Sequence, residues 1–228
     1  AGVYDGFSTN EQLVGGMSKL FGDRADTVIA NANNAFMTAG KSANEYMEGV
    51  TGIAANLVKS VGGDTEEAAR LADVAMTAMA DNVNTFGTDA ESVQNAIQGI
   101  AKGNFSMLDN LSLGFAGNQQ GMVDLINASG VLGEELTDTS QLADVGFGVM
   151  IEAIQKVQED MGIAGATASE AMGTIEGSAN ATKAAWDNVL TSIGSGDASQ
   201  VQAAASGLVD ALFGTIDEKT GAREGGLI

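Results

Sequence analysis

The chain has 228 residues, with ten Lys+Arg against 30 Asp+Glu for a formal net charge of −20, and it has no Cys, His or Pro. Those absences exclude disulfides, thiolate metal sites, thiol nucleophiles and any Ser-His-Asp arrangement, and they remove the commonest general base and metal ligand. The charge excludes a surface that coats nucleic acid or anionic lipid, while 44% hydrophobic against 18% charged residues is the balance of a folded chain.

Apolar residues recur at every third or fourth position, and no stretch alternates convincingly at two. The stripes Met47, Val50, Ala54, Leu57, Val61 and Ala69, Ala72, Met76, Met79, Val83, Phe86 are the clearest in the first half. Val149, Met150, Ala153, Ile154, Val157 and Val201, Ala205, Leu208, Leu212, Ile216 continue the pattern. Helices are predicted near 9–21, 24–39, 42–61, 65–86, 89–102, 118–129, 140–161, 167–193 (with breaks offered by Gly173 or Gly177) and 198–216. Four S/T-x-x-E capping boxes mark starts: Ser8 with Glu11, Ser42 with Glu45, Thr88 with Glu91, and Thr167 with Glu170, with Asp64 and Glu67 as an Asp-led variant. Gly40, Gly63, Gly87 and Gly165 stand where a preceding helix can stop. The fold class expected is all-α: a compact or segmented bundle of about nine short-to-medium helices with Gly-rich turns. With 5% aromatic residues, its core must come from Ala, Val, Leu, Ile and Met.

Residues 103–117, GNFSMLDNLSLGFAG, break the helical period. They read either as a short helix plus ordered loop plugging the core or as a recognition surface. The candidate interaction residues are Met107, Leu108, Asp109, Asn110, Leu111, Leu113 and Phe115. This segment divides the expected organisation into a helical half over 1–102 and another over 118–216, with a polar, Gly-containing tail at 217–228 expected to fray. The longest apolar stretch, Val145 to Val157, is interrupted by Glu152 and falls short of the roughly 20 residues a membrane span needs. Starting at Ala1 with no basic-apolar leader, the chain is expected to be a fragment of a longer protein or a processed product.

Few constellations suggest chemistry. Glu134 with Glu135 and Glu159 with Asp160 are carboxylate pairs of the kind glycosidases use, but adjacent acids on a helix face water. Asp81-Asn82 and Asp109-Asn110 are too sparse for a calcium loop. Gly194-Ser195-Gly196 and Gly146-Phe147-Gly148 lack the Lys or third Gly of a phosphate loop and read as breaks between helices. Lys102, Lys156 and Lys183 are single cations late in helices, where they complement the dipole. No catalytic residue, metal or cofactor is expected, and the chain is not expected to be an enzyme. Met76, Met79, Met107, Met150 and Met161 read as core filler. Trp186, the single Trp, reads as a core anchor of the last helical layer or as an interface anchor.

Longer segments carry a resemblance. ANNAFMTAGKSANEYMEGVTG (32–52) is followed by VGGDTEEAARLADVAMTAMADNVNTFGTDAESVQNAIQGIAKGNFSMLDNLSLGFAG (61–117), then ASGVLGEEL (128–136), IEAIQKVQEDMGIAGATASEAMGTIEGS (151–178) and KAAWDNVLTSIG (183–194). In this order they resemble the core region of phage tail tape measure proteins, of the long-tailed type found in phages and prophages of Gram-positive bacteria. The resemblance runs from about Gln12 to Ile216. It departs at Phe115-Ala116-Gly117, where the family more often shows Tyr-Gly-Gly.

The resemblance implies a structural virion protein that sets tail length during assembly and is released ahead of DNA ejection. The implied location is the lumen of the tail tube, with the host cytoplasm during assembly. The implied partners are tail tube protein, tail assembly chaperones and tail tip proteins, with self-association as a further option and no direct nucleic acid binding. A helical interaction module of a bacterial secreted or filament system is the alternative. A fully helical chain of this length would span roughly 340 Å at 1.5 Å per residue. The longest Gly-free run, Asp64 to Phe86, would give only about 35 Å of helix, so a single rod is not expected. The acidic balance suits a protein that shares a channel with DNA, and the absence of covalent staples suits passage through a narrow tube.

Overall fold

A computed structural model describes residues 2–173, 183–189, 191, 201–202, 204–205, 215–216 and 223–224. The fold is all-α, as expected. Its helices are α1 (Gly2–Phe21), α2 (Ala25–Thr38), α3 (Ala43–Ser60), α4 (Thr65–Phe86), α5 (Ala90–Ala101), α6 (Gln119–Ser129), α7 (Phe147–Asp160) and α8 (Ala166–Gly173), with residues 183–189 helical again. Three 3-10 turns connect them, over Gly22–Arg24, Leu108–Leu111 and Thr139–Asp144. Thr215–Ile216 pair antiparallel with Arg223–Glu224. The helix expected to run to Ile216 therefore gives way to extended chain before it. Part of the tail expected to fray is paired, and the rest of 217–228 lies outside the described residues.

Starts and stops follow local chemistry. Ser42 and Glu45 form the expected reciprocal box: the Ser42 N–H donates to Glu45 Oε2 at 2.8 Å and the Glu45 N–H to Ser42 Oγ at 3.4 Å. Asp64 caps α4 by accepting from the Glu66 and Glu67 N–H groups, both at 3.0 Å. At the other end, Gly87 takes a left-handed φ of 63° and returns its N–H to the Val83 carbonyl, a conformation that costs a residue with a Cβ more than it costs glycine. Gly40 and Gly63 stop their segments in the same left-handed region, whereas α7 ends at Asp160 and is closed by the left-handed Gly162 rather than by Gly165.

Four expectations are corrected. Ser8 does not start a helix, because α1 begins at Gly2 and runs through it. Thr88 does not cap α5: Asp89 does, accepting the Ser92 N–H at 2.8 Å, while the Thr88 hydroxyl donates to Asn82 Oδ1 at 2.9 Å. Thr167 lies inside α8, which begins at Ala166. The helix expected over 140–161 is interrupted at Val145 and Gly146, both extended. The break lets the chain come close to α3. The Gly148 N–H donates to Ser60 Oγ at 3.1 Å, and a Cβ on Gly148 would sit 2.7 Å from Leu71 Cδ1.

The chain forms two compact units rather than halves divided at 103–117. Unit 1 gathers residues 1–19, 25–48 and 167–228; unit 2 gathers 20–24 and 49–166. In unit 1, Met17, Val28, Ala32, Ala35, Tyr46 and Met47 are buried, and Phe36 packs with Ala184 and Ala185. Asn10 Nδ2 donates to Asn44 Oδ1 at 3.0 Å. The Ala43 N–H, one of the orphan donors in the first turn of α3, donates to Asn188 Oδ1 at 2.8 Å.

Unit 2 is built on α4 and α7, which run parallel. Arg70 reaches Glu152 near their starts, Gln158 Nε2 donates to the Ala78 carbonyl at 3.0 Å, and the Gly165 N–H meets Asp81 Oδ2 at 2.6 Å just past the end of α7. The buried residues Ala68, Ala69, Ala72, Ala75 and Ala78 keep α4 thin, and helix separation falls with side-chain size at the contact. Val93, Ile97 and Ile100 from α5 and Met122, Val123, Leu125 and Ile126 from α6 supply the bulk of the remaining core.

Candidate interaction surfaces

The segment after α5 turns its apolar residues inward. Phe105, Leu108, Leu111 and Leu113 are buried, whereas Met107 is 42% exposed. Asp109 is exposed, and Asn110 and Phe115 are half-buried. The candidate interaction loop thus separates into a core plug, Leu108, Leu111 and Leu113, and an outer edge, Met107 and Asp109, with Asn110 and Phe115 between them. Gly117 makes this compactness possible, since a Cβ there would lie 2.7 Å from both Asp109 Oδ1 and the Ser106 carbonyl.

The plug is held from α4. Asn82, 1% exposed, donates from Nδ2 to the Leu111 carbonyl and accepts the Thr88 hydroxyl at Oδ1. Its neighbour Asp81, 2% exposed, accepts the Gly165 N–H. Two consecutive side chains therefore fasten the turn before α5, the plug after it and the turn after α7. Buried polar groups survive when they are hydrogen-bonded, and here the bonding joins segments distant in sequence. Gln158 adds a third buried polar contact to α4 through Nε2, while its Oε1 has no hydrogen-bond partner. Spacing alone tests Asp81-Asn82 only as calcium ligands and misses this role. The available signal is a polar pair one turn from the end of an apolar helix, with no cation three or four residues away.

Trp186 is 52% exposed, so it is not a core anchor. On the 183–189 helix, Ala184, Ala185 and Asn188 occupy the inward face, and a helical turn of about 100° per residue carries position 186 away from it. Asn188 makes a tertiary hydrogen bond from this segment, and Ala184 and Ala185 pack on Phe36. Met76, Met79 and Met150 fill the core as expected, but Met107 and Met161 do not; Met161 is 46% exposed beyond the end of α7.

The carboxylate pairs face solvent. Glu134 and Glu135 are exposed, and Glu159 and Asp160 both pair with Lys156, at 3.4 and 3.1 Å. Among the described residues, no group of three or more Asp or Glu is placed to hold a metal ion, and no helix is long and apolar enough to cross a membrane. The shifted carboxyls are structural. Asp89 lies below its ordinary value because of its backbone and side-chain hydrogen bonds with Ser92, and Asp138 because of those with Ser140. The Arg70 guanidinium lowers Glu67 in the same way.

Unit 2 also carries a cavity of about 770 Å³ floored by Ile100, Phe105, Leu142, Phe147 and Met150. Its volume is that of a ligand pocket, but its one charged lining residue, Lys59, is exposed. No buried polar side chain there selects a ligand. No family profile, curated protein or solved structure matches the chain.

Proposed function

We propose that this chain is a structural segment of a phage tail tape measure protein, which acts through its surfaces and carries out no reaction. One observation supports the reading above the others. Four of the segments that carry the resemblance meet in unit 2, while residues 32–48 and 183–189 of the others belong to unit 1. GGDTEEAARLAD forms the capped first half of α4, and DNVNTFGTD its buried polar end and stop. MLDNLSLGFAG forms the plug held by Asn82, and MGIAGATASEA contains the turn held by Asp81. A resemblance confined to exposed acids or glycine turns would carry little weight; here it coincides with the contacts that define the fold.

In this role the chain occupies the tail tube lumen, meets tube, chaperone and tip proteins during assembly, and leaves ahead of the genome. Its surplus of acids keeps it off DNA in a shared channel. Its described helices are short, α4 being the longest at 22 residues or about 33 Å, so extension along a tube depends on partner surfaces that cover its apolar stripes.

The test is genetic. An in-frame deletion of residues 49–166 from the encoding phage or prophage should abolish tails or change their length, scored by electron microscopy. Infective particles with tails of parental length would refute the proposal.

A further inference from the structure

Residues 161–165 connect α7 to α8, which begins at Ala166, and differ from the rest of unit 2. Met161, Gly162, Ala164 and Gly165 are exposed, and Ile163 is the buried residue of the turn. Gly162 and Gly165 both adopt left-handed φ, 71° and 80°. The backbone bonds of this turn are local: Gly162 N–H to the Glu159 carbonyl, Ile163 N–H to that of Gln158, and Ala166 N–H to that of Ile163. Its tertiary hydrogen bond runs from the Gly165 N–H to the buried carboxyl of Asp81. By contrast, the plug held by Asn82 buries three leucines, with Phe105 buried just before it. A segment with few buried contacts belongs to the low-stability end of a fold.

The position matters as much as the bond. Residue 166 belongs to unit 2 and residue 167 to unit 1. Force or thermal motion transmitted along the chain from the α8 side therefore meets unit 2 first at this turn.

We infer that the Asp81–Gly165 contact is a latch. While it is closed, it holds the connection to α8 against α4. When it is released, residues 161–165 open together, and α4 and α7 stay packed through Arg70 with Glu152, Gln158 with Ala78, and the alanine face of α4. The latch thereby separates the opening of the connection from the unfolding of unit 2. This inference stands apart from the tail assignment and requires only the geometry of unit 2.

Amide hydrogen exchange on the full chain tests it. In Asp81→Ala, the Gly165 and Ile163 amides should exchange about tenfold faster or more, as expected for loss of a hydrogen bond to a carboxylate. Interior amides of α4 and α7 should keep their protection. Asp81→Asn retains an acceptor of similar shape and should give a smaller acceleration at the same amides. Gly165→Ala, which strains the left-handed turn from the opposite side of the contact, should speed Ile163 exchange and spare α7; these two variants decide the matter should Asp81→Ala fail to fold. Wild-type exchange at Gly165 in Asp81→Ala would overturn the latch. So would acceleration of the α4 and α7 interior equal to that of the turn, which would make Asp81 a support of the whole unit.

Discussion

The Asn82 side chain donates from Nδ2 to the Leu111 carbonyl, so a residue near the end of α4 fastens a 3-10 helix that lies beyond α5. Replacing Asn82 with Ala removes this bond and the acceptor of the Thr88 hydroxyl, in a place where Asn82 is 1% exposed. Leaving buried partners unsatisfied costs about 1–3 kcal/mol. Asn82→Ala should therefore lower the unfolding free energy by about 2 kcal/mol in urea titrations followed by circular dichroism. A change within experimental scatter would show that the plug is held by its apolar residues alone.

Two glycines should respond oppositely to alanine. A Cβ on Gly121 would overlap the Ala116 carbonyl and backbone, and the chain there cannot yield as a flexible side chain can. Gly121→Ala should cost about 2 kcal/mol or more. Gly15 lies inside α1, where a Cβ would meet nothing within 4 Å, and should gain about 0.5–1 kcal/mol as Ala. Thermal melts of the two variants read both signs; equal shifts in the same direction would contradict the packing described.

Stability should fall on the acid side. Glu67, Asp89 and Asp138 sit below their ordinary values of 4.5, 3.8 and 3.8 in the folded chain. A depressed carboxyl contributes stability that is fully present above its unfolded value and lost as pH falls through its folded value. The urea midpoint should therefore be insensitive to these groups above about pH 5 and decline below about pH 4. The double variant Asp89→Asn, Asp138→Asn should show a shallower acid-side decline, and a slope equal to the parent's would refute the assignment. Glu67 adds little, because Arg70, Glu67 and Glu152 are each more than a third exposed and solvent screens such pairs.

The helices are legible in the sequence because periodic apolar residues and glycine stops are local signals. Gly40, Gly63 and Gly87 adopt the left-handed conformation their positions suggest, Gly162 takes the stop expected at Gly165, and Ser42 and Asp64 cap as their spacing predicts. The false caps have two causes: at Ser8 and Thr167 the S/T-x-x-E spacing falls inside a helix, and at Thr88 the neighbouring Asp89 takes the cap. The break at Gly146 is legible in Gly146-Phe147-Gly148, but its contact with Ser60, 88 residues away, is not. The same holds for the polar joints. Asp81, Asn82 and Asn188 gain their roles from backbone groups 84, 29 and 145 residues away, distances over which a single sequence carries no pairing information. Trp186 shows the limit of bulk as a guide, because the two small residues and the amide beside it define the inward face.

The most direct test of the tail assignment is peptide mass spectrometry of purified particles from the encoding phage or prophage, before and after genome ejection is triggered. Peptides from α4 and α7 should be found in intact particles and be depleted from emptied ones. Their absence from intact tails that contain tube and tip proteins would contradict a place for this chain in the virion.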